Sequence, residues 1–366
     1  MEAKSFWLTD EGLLNDLRFK TSSTPNHCDF LIVGGGLSGI SCLYWLSDAL
    51  SKSCEQSQKP SILLIESGAI SSGAVGKNGG HLFPVNEFEI LCASELVEVI
   101  TKYNLQEEVE LFLTDGTFPA QVFPSKLIRG LLNVSRRVYE KITISTHTTA
   151  TNISLRQNSI DVLTNKGVIQ CGKVFITTNA YTPKLLKEFE NIIIPTRGQC
   201  LATNPLPKII FPKNHIVEYP DGSGIYLIQR KPDKRIIVGG FRAIVEGKEV
   251  NQLDDSVINP QITQRFIEWF NTEKPFKQLD EPPKIEYQWT GIMGFTIDGK
   301  PIVGKLPQDE RSRVFISAGF NGHGMPVCFW SSKYIVFEAL GIPRNPLVHS
   351  YLSQFSPLRF FQPSCL

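Results

Sequence analysis

The chain has 366 residues, 42% hydrophobic and 20% charged, a balance that supports a packed core of about two domains and excludes a disordered, collagenous or coiled-coil chain. With 37 Lys and Arg against 36 Asp and Glu, the formal net charge is +1, which leaves no basic field for a nucleic-acid backbone and no acidic tail. The eight cysteines are dispersed, with no Cys-x-x-Cys pair and no Cys/His set of zinc spacing, so free thiols in a reducing compartment and no metal site are expected.

Residues 1–26 mix charges into every short apolar stretch, and no segment approaches the roughly 18 apolar residues that cross a bilayer. The expectation is a soluble, cytoplasmic protein in which the sequons at Asn133 and Asn152 are chance matches. The final Ser364-Cys365-Leu366 echoes the Ser-Lys-Leu peroxisomal address but lacks its basic middle residue.

Taken in chain order, 29–33 reads as a short buried strand, followed at once by Gly34-Gly35-Gly36-Leu37-Ser38-Gly39 and a helix over 40–50. Residues 51–60 are polar and read as a loop, and 62–65 is a second buried strand ending at Glu66. This is a βαβ unit. Helices are predicted over 87–103, 125–139, 260–271 and 326–340, and strands over 142–145, 159–163, 174–177, 195–204, within 224–241, and over 314–317. A glycine-rich turn over 319–325 leads into the last helix, so both ends of the chain pass from strand through glycines into helix.

Gly34, Gly36 and Gly39 have the G-x-G-x-x-G spacing between strand and helix that a dinucleotide needs. Gly34 permits the sharp turn, Gly36 lets backbone amides reach a pyrophosphate, and Gly39 lets helix pack on strand, with the diphosphate at the positive end of the helix. Glu66 can accept from both ribose hydroxyls and disfavours a 2′-phosphate; the alternative is a solvated carboxylate at a strand end. The small residues of Ser71-Ser72-Gly73-Ala74-Val75-Gly76-Lys77-Asn78-Gly79-Gly80-His81 would let the backbone lie against a second large ring system, as a flavin requires.

That segment resembles the Ser-Gly-Ala-x-Gly-Arg-Asn-Gly-Gly-His stretch of FAD-dependent oxidoreductases of the D-amino-acid oxidase and glycine/sarcosine oxidase kind, in particular a fungal-type branch, with Lys77 in place of the usual Arg. The resemblance continues through Ser5-Phe6-Trp7-Leu8, Thr177-Thr178-Asn179-Ala180-Tyr181, Pro195-Thr196-Arg197-Gly198-Gln199, Trp289-Thr290-Gly291-Ile292-Met293-Gly294-Phe295 and Gly319-Phe320-Asn321-Gly322-His323-Gly324-Met325. It implies an α/β protein, with a Rossmann-like FAD domain of the glutathione-reductase type over 28–84, 125–196 and 288–366. An interleaved α+β substrate domain on a mixed antiparallel sheet would take 85–124 and 197–287, with 1–27 as a lead-in.

The resemblance also implies a non-covalent FAD contacted by Gly34, Gly36, Leu37, Ser38, Gly39, Glu66, Ser67, Gly73, Lys77, Asn78, Gly79, Gly80, Asn179, Ala180, Met293, Gly322, His323, Gly324 and Met325, the last two blocks above forming loops around the flavin ring. Met293 cannot form the thioether some relatives have in that loop. The implied activity is hydride removal from a small amine or amino acid, with reoxidation by dioxygen. A dehydrogenase with another acceptor, or a flavoprotein with a trafficking or regulatory role, is the alternative.

For the substrate, Tyr226, Ile228 and Arg230 share one face of a strand, which proposes Tyr226 over the flavin and Arg230 for a carboxylate, with Arg242 as the competing cation. His81 could assist dioxygen reduction or be a hydrogen-bonded structural histidine, and His323 reads as a structural contact to ring or backbone.

Overall fold

The computed structural model describes residues 3–17, 19, 24–53, 59–114, 116–307, 313–343 and 346–361. Cys54 and the Ser364-Cys365-Leu366 end fall outside these residues.

The strand His27–Val33 is buried from Phe30 onward and leads through the glycine turn into the helix Leu37–Ser53. Ile62–Ile65 and Gly167–Ile176 flank it in parallel, with Phe30 opposite Ile62 on one side and Lys173 on the other. Continuous Leu, Ile and Val runs are what parallel strands need when both faces are covered. Ile142–Ser145 extends the sheet on the far side of Ile62–Ile65, Val314–Ala318 extends it beside Gly167–Ile176, and Ile302–Lys305 closes that edge antiparallel. A hairpin of Ala150–Leu155 and Ile160–Thr164 joins the base of Gly167–Ile176 and completes a mixed, eight-stranded sheet.

Helices Leu37–Ser53 and Gly324–Leu340 pack side by side on this sheet. Their joint is polar as well as apolar: the Trp45 indole donates to the Phe329 carbonyl at 3.0 Å, and Ser38 donates to the Ser317 hydroxyl at 2.9 Å. The Ser332 hydroxyl donates to the Ser38 carbonyl at 2.8 Å, so Ser38 and Ser332 are paired, while the buried Ser41 and Ser331 hydroxyls of the same two helices have no partner among the described residues. Phe30, Ile32, Ile40, Leu43, Phe329 and Ile335 belong to one core on this face; Leu31, Val33, Ile176 and Ile316 belong to another on the opposite face.

A second sheet is wholly antiparallel, in the order His215–Glu218, Gly224–Gln229, Ile236–Gly240, Ile193–Thr203, Ile285–Thr296. Ile262, Phe266, Trp269 and Phe270 of the helix Pro260–Thr272 cover one face of it, and the helix starts where the Asn259 side chain accepts from the Gln261 N–H at 3.0 Å. A third, small sheet joins His81–Leu82, Thr117–Gln121 and Phe112–Thr114. Among the described residues no helix is long and apolar enough to cross a membrane. The architecture is the expected α/β one, with the mixed pairing in the large sheet and the smaller five-stranded sheet purely antiparallel.

One expectation changes. Residues 289–295 do not form a loop: they lie inside the strand Ile285–Thr296, paired with Ile193–Thr203 over its whole length. The two glycines there answer a packing demand, because a Cβ on Gly291 would stand 3.0 Å from the Lys77 Cβ and one on Gly294 would stand 3.0 Å from the Asn179 side chain.

Candidate functional site

The glycine turn is built by steric necessity at two of the three motif glycines. Gly34 has φ +115°, and a Cβ there would meet the Thr177 carbonyl at 2.9 Å. A Cβ on Gly39 would lie 1.9 Å from the Gly34 carbonyl oxygen, so strand and helix could not approach. Gly36 differs: its nearest neighbour would be Val75 at 4.0 Å, and its backbone is not left-handed. Nothing in the protein forbids a side chain there.

The open space beside Gly36 faces a helix start with no side-chain cap. The first intrahelical bond runs from the Ile40 N–H to the Gly36 carbonyl at 3.0 Å, so the N–H groups of Leu37, Ser38 and Gly39 precede the ladder. A diphosphate fits this cradle, since three amides and the helix dipole converge where a methyl would intrude. Glu66 stands at the neighbouring strand end. It accepts from the Gly35 N–H at 2.6 Å, the Gly68 N–H at 2.8 Å and the Ser67 hydroxyl at 3.0 Å, which uses three of about four lone-pair sites and leaves one for a ribose hydroxyl. The carboxylate therefore braces the turn and keeps one acceptor site free.

The segment 71–81 is tied down by side chains distant in sequence. Ser5 donates to the Gly76 carbonyl at 2.7 Å, Trp7 to the Asn78 carbonyl at 2.7 Å and Trp289 to the Lys77 carbonyl at 2.8 Å. Asn78 in turn accepts from the Gly80 N–H at 2.8 Å, and Gly80 lies so close to Trp7 that a Cβ would touch the indole at 2.7 Å. Gly73 is exposed, with open space where a Cβ would go. Lys77 makes an ion pair with Asp255 at 2.5 Å, so its ammonium is committed to that carboxylate.

Asp255 belongs to an unusual strap over residues 241–259. Phe241, Lys248, Glu249 and Asn251 all have left-handed backbones, with φ of 58°, 50°, 61° and 59°. Non-glycine residues hold that conformation only where their surroundings enforce it. Here Arg197 pairs with Glu249 in a buried contact and donates to the Asp254 carbonyl at 2.9 Å, and Thr290 donates to the Asp255 carbonyl at 2.8 Å. The strap sets the position of Arg242 at its start. This guanidinium lies 4.5 Å above the Phe295 ring, half-buried, within electrostatic reach of Tyr226 and without a carboxylate partner among the described residues. Burial works against its charge and lowers its pKa.

Tyr226 stands between these parts. Its ring packs against Gly79 and Gly239, where Cβ atoms would come within 2.5 Å of it, and its hydroxyl is 3.1 Å from the Cys200 sulfur. Burial, reinforced by that thiol, holds the phenol well above its usual range, so it stays protonated. His81 meets the Tyr226 ring edge-on at 5.3 Å. Its pKa is pushed down to about 3 by burial and by the neighbouring His323, which makes it a neutral imidazole, and its buried Nε2 has no partner among the described residues.

Asn179 and Asn321 join the remaining loops. The Asn179 side chain accepts from the Gly319 N–H at 2.9 Å and the Phe320 N–H at 3.2 Å, next to Ala180. Asn321 donates its N–H to the Gly294 carbonyl at 2.8 Å and accepts from the Thr296 N–H at 2.8 Å. Gly322, with φ +75°, leaves room for the Met293 sulfur, 3.1 Å from where its Cβ would be. Gly324 and Met325 then open the helix Gly324–Leu340, whose start also has no side-chain cap.

Arg230 is not available to a substrate. It lies just past the strand Gly224–Gln229, its side chain is 8% exposed, and it pairs with Glu110 at 3.0 Å and Asp233 at 3.0 Å. Its guanidinium is also stacked on Phe6 at 4.8 Å and Trp7 at 5.4 Å. The shared face held for Tyr226 and Ile228, but the chain turns at 230, where the backbone bonds to Arg235 and the side chain goes to Glu110. Arg242 is the cation left in the site.

Sequence reasoning missed Glu89, Asp255 and Cys200. Glu89 lies three residues after the N-cap Asn86, a spacing that reads as an ordinary helix cap, and it does accept from the Val85 N–H at 2.8 Å. The same Oε2 receives the His323 Nε2 at 2.9 Å. Burial pushes this carboxyl up, but the hydrogen bonds from His323 and Val85 outweigh it and the pKa ends below the usual range.

Known proteins share this fold. The chain is 22% identical to gamma-glutamylputrescine oxidoreductase of Escherichia coli (strain K12), over 87% of this chain and 84% of that one. Its fold is similar to glycine oxidase from Geobacillus kaustophilus, with a TM-score of 0.69 and 16% identity over 91% of this chain and 98% of that one. It is also similar to L-proline dehydrogenase from P. horikoshii, with a TM-score of 0.68 and 18% identity over 92% and 99%. The family model described as DAO, FAD dependent oxidoreductase, matches residues 111–337. That stretch takes in the asparagine-tied loops, the strap and the antiparallel sheet, more than half of the chain, while the uncapped helix behind Gly36 stands ahead of it; on this match the chain belongs to the DAO family of FAD-dependent oxidoreductases.

Proposed function

We propose that this protein oxidises a small amine or amino acid bearing a carboxylate, at the carbon next to nitrogen, using non-covalent FAD and dioxygen. Arg242 carries the reading: a half-buried cation without a carboxylate partner among the described residues, beside Tyr226 and Phe295, is completed by a substrate carboxylate. Such a charge-assisted bond contributes about 1.5–3 kcal/mol. The amine and amino-acid names of the similar gamma-glutamylputrescine oxidoreductase, glycine oxidase and L-proline dehydrogenase support the same class.

When bound, FAD supplies the hydride acceptor at N5 and the route for two electrons to dioxygen, yielding hydrogen peroxide. The chain's residues bind and orient. Gly34, Gly36, Leu37, Ser38 and Gly39 hold the diphosphate, and Glu66 with Ser67 holds the ribose. Gly73, Lys77, Asn78, Gly79 and Gly80, with Asn179 and Ala180, line the isoalloxazine path, and Met293, Gly322, His323, Gly324 and Met325 meet the ring. Tyr226 walls the substrate space, and the unpartnered Nε2 of His81 receives a polar hydrogen of the substrate. Met293 offers no thiol for a covalent link, and Cys328 is buried beneath Gly324. In this division residues 28–84, 125–196 and 288–366 surround FAD, while 85–124 and 197–287 cover the substrate.

The test is an anaerobic titration of the yellow protein with glycine, sarcosine, and D- and L-amino acids, followed by air. Bleaching of the flavin band by one of them and rapid recovery in air with peroxide release is the expected result. Absence of bleaching across the panel refutes the substrate class, and slow recovery refutes dioxygen as the acceptor.

A further inference from the structure

We propose that Glu89 is a positioning residue for the flavin ring: its carboxylate, reaching across from another helix, grips the His323 Nε2 and holds that imidazole in one orientation at the start of the helix Gly324–Leu340. This rests on the reading that sets the ring against Gly322, His323 and Met325.

The geometry limits what the pair can do. A carboxylate only accepts, so the 2.9 Å contact assigns a hydrogen to the His323 Nε2 and turns Nδ1 to the opposite edge of the imidazole. Glu89 is itself held. Its Oε2 takes the Val85 N–H at 2.8 Å, its own N–H is bound by Asn86 at 3.0 Å, and its side chain is 12% exposed. The contact spans the helices Glu87–Lys102 and Gly324–Leu340, and farther along the same two helices Glu95 pairs with Lys333, so the approach of the carboxylate is fixed at two points. Among the described residues His323 also faces His81, which is neutral; Met293 and Phe295, beside Gly322, carry no charge. One imidazole is thus backed by an anion and the other is kept uncharged, an asymmetry that separates a charge-compensating role from a hydrogen-bonding one.

An uncapped helix start, with the carboxylate-braced imidazole held in place beside it, favours an electron-rich ring over an electron-poor one. Sulfite reads this directly: its sulfur lone pair forms a bond to flavin N5, the ring becomes anionic, and the yellow band bleaches. No substrate is needed.

The experiment is a sulfite titration of FAD-loaded wild type, Glu89→Gln, His323→Gln and the double variant at one fixed pH. Glutamine keeps an acceptor for the Val85 N–H, so the helix start is preserved. Sulfite affinity is expected to fall roughly tenfold in either single variant and no further in the double variant. Before sulfite is added, the flavin absorption band should shift alike in Glu89→Gln and His323→Gln, because both variants change the same contact beside the ring. Wild-type affinity and an unshifted band in Glu89→Gln overturn the proposal, as does an additive loss in the double variant, which would show Glu89 acting independently of His323. If the amine panel leaves the flavin yellow while the sulfite cycle behaves as expected, the substrate reading fails and the positioning role stands.

Discussion

Replacing Gly36 or Gly39 with alanine separates what the turn does for folding from what it does for the cofactor. At Gly36 the new methyl meets nothing nearer than Val75 at 4.0 Å and the backbone is not left-handed, so the apoprotein gains about 0.4–1 kcal/mol from a less flexible unfolded chain. The methyl would occupy the space where the amides of Leu37, Ser38 and Gly39 converge. Losing one charge-assisted bond to a diphosphate there costs about 1.5–3 kcal/mol, which is roughly 10- to 100-fold in FAD affinity. At Gly39 the methyl would lie 1.9 Å from the Gly34 oxygen, so helix and strand must separate and the apoprotein loses about 1–3 kcal/mol. The assays are denaturant unfolding of both apoproteins and FAD reconstitution followed by quenching of flavin fluorescence. A Gly36→Ala protein that binds FAD as tightly as wild type refutes the placement of the diphosphate.

The two arginines should behave oppositely. Arg230→Ala removes its contacts to Glu110 and Asp233, which keep Lys126 and Arg235 as partners, and three aromatic contacts, so unfolding free energy falls by about 1.5–3 kcal/mol while the KM of the surviving protein changes little. Arg242→Ala leaves the melting temperature near wild type and raises KM for a carboxylate substrate roughly 10- to 100-fold; an unchanged KM would remove the carboxylate assignment. His81, with its pKa held near 3 by burial and by His323, binds its proton more readily unfolded than folded, so it withdraws stability as pH falls from 6.5 toward 3. His81→Gln should flatten that stretch of the stability curve by up to about 1.4 kcal/mol per pH unit, measured by urea unfolding at fixed pH steps. Trp7→Phe removes the 2.7 Å bond to the Asn78 carbonyl; a loss of about 1 kcal/mol and faster FAD release by gel filtration are expected, and unchanged release would show that the lead-in does not brace this segment.

Local rules made the large sheet legible. Strands 62–65 and 142–145 were placed to the residue, and the glycine spacing with Glu66 located the turn, because apolar runs and a left-handed Gly34 are dictated within a few residues. The strands Phe112–Thr114, Thr117–Gln121, Ala150–Leu155 and His215–Glu218 escaped notice, being short or partly exposed, with Pro119 inside one of them. Residues 289–295 read as a loop because the contacts that require Gly291 and Gly294 come from Lys77 and Asn179, far away in sequence. The site was legible wherever the backbone makes it. Where it depends on which charge finds which partner, as with Arg230 and Glu110 or Glu89 and His323, spacing along one strand or helix contains no information about the distant residue.

The antiparallel pairing of Ile193–Thr203 with Ile285–Thr296 brings Thr203 opposite Ile285, so the chain from 204 to 284 departs from and returns to a single point. Arg242 and the strap travel within that excursion, whereas the turn at Gly34, Glu66 and the helix Gly324–Leu340 do not. Evolution or an engineer can therefore exchange the excursion as one cassette, replacing Arg242 and the strap while the Gly34 turn, Glu66 and the last long helix pass unaltered from parent to descendant.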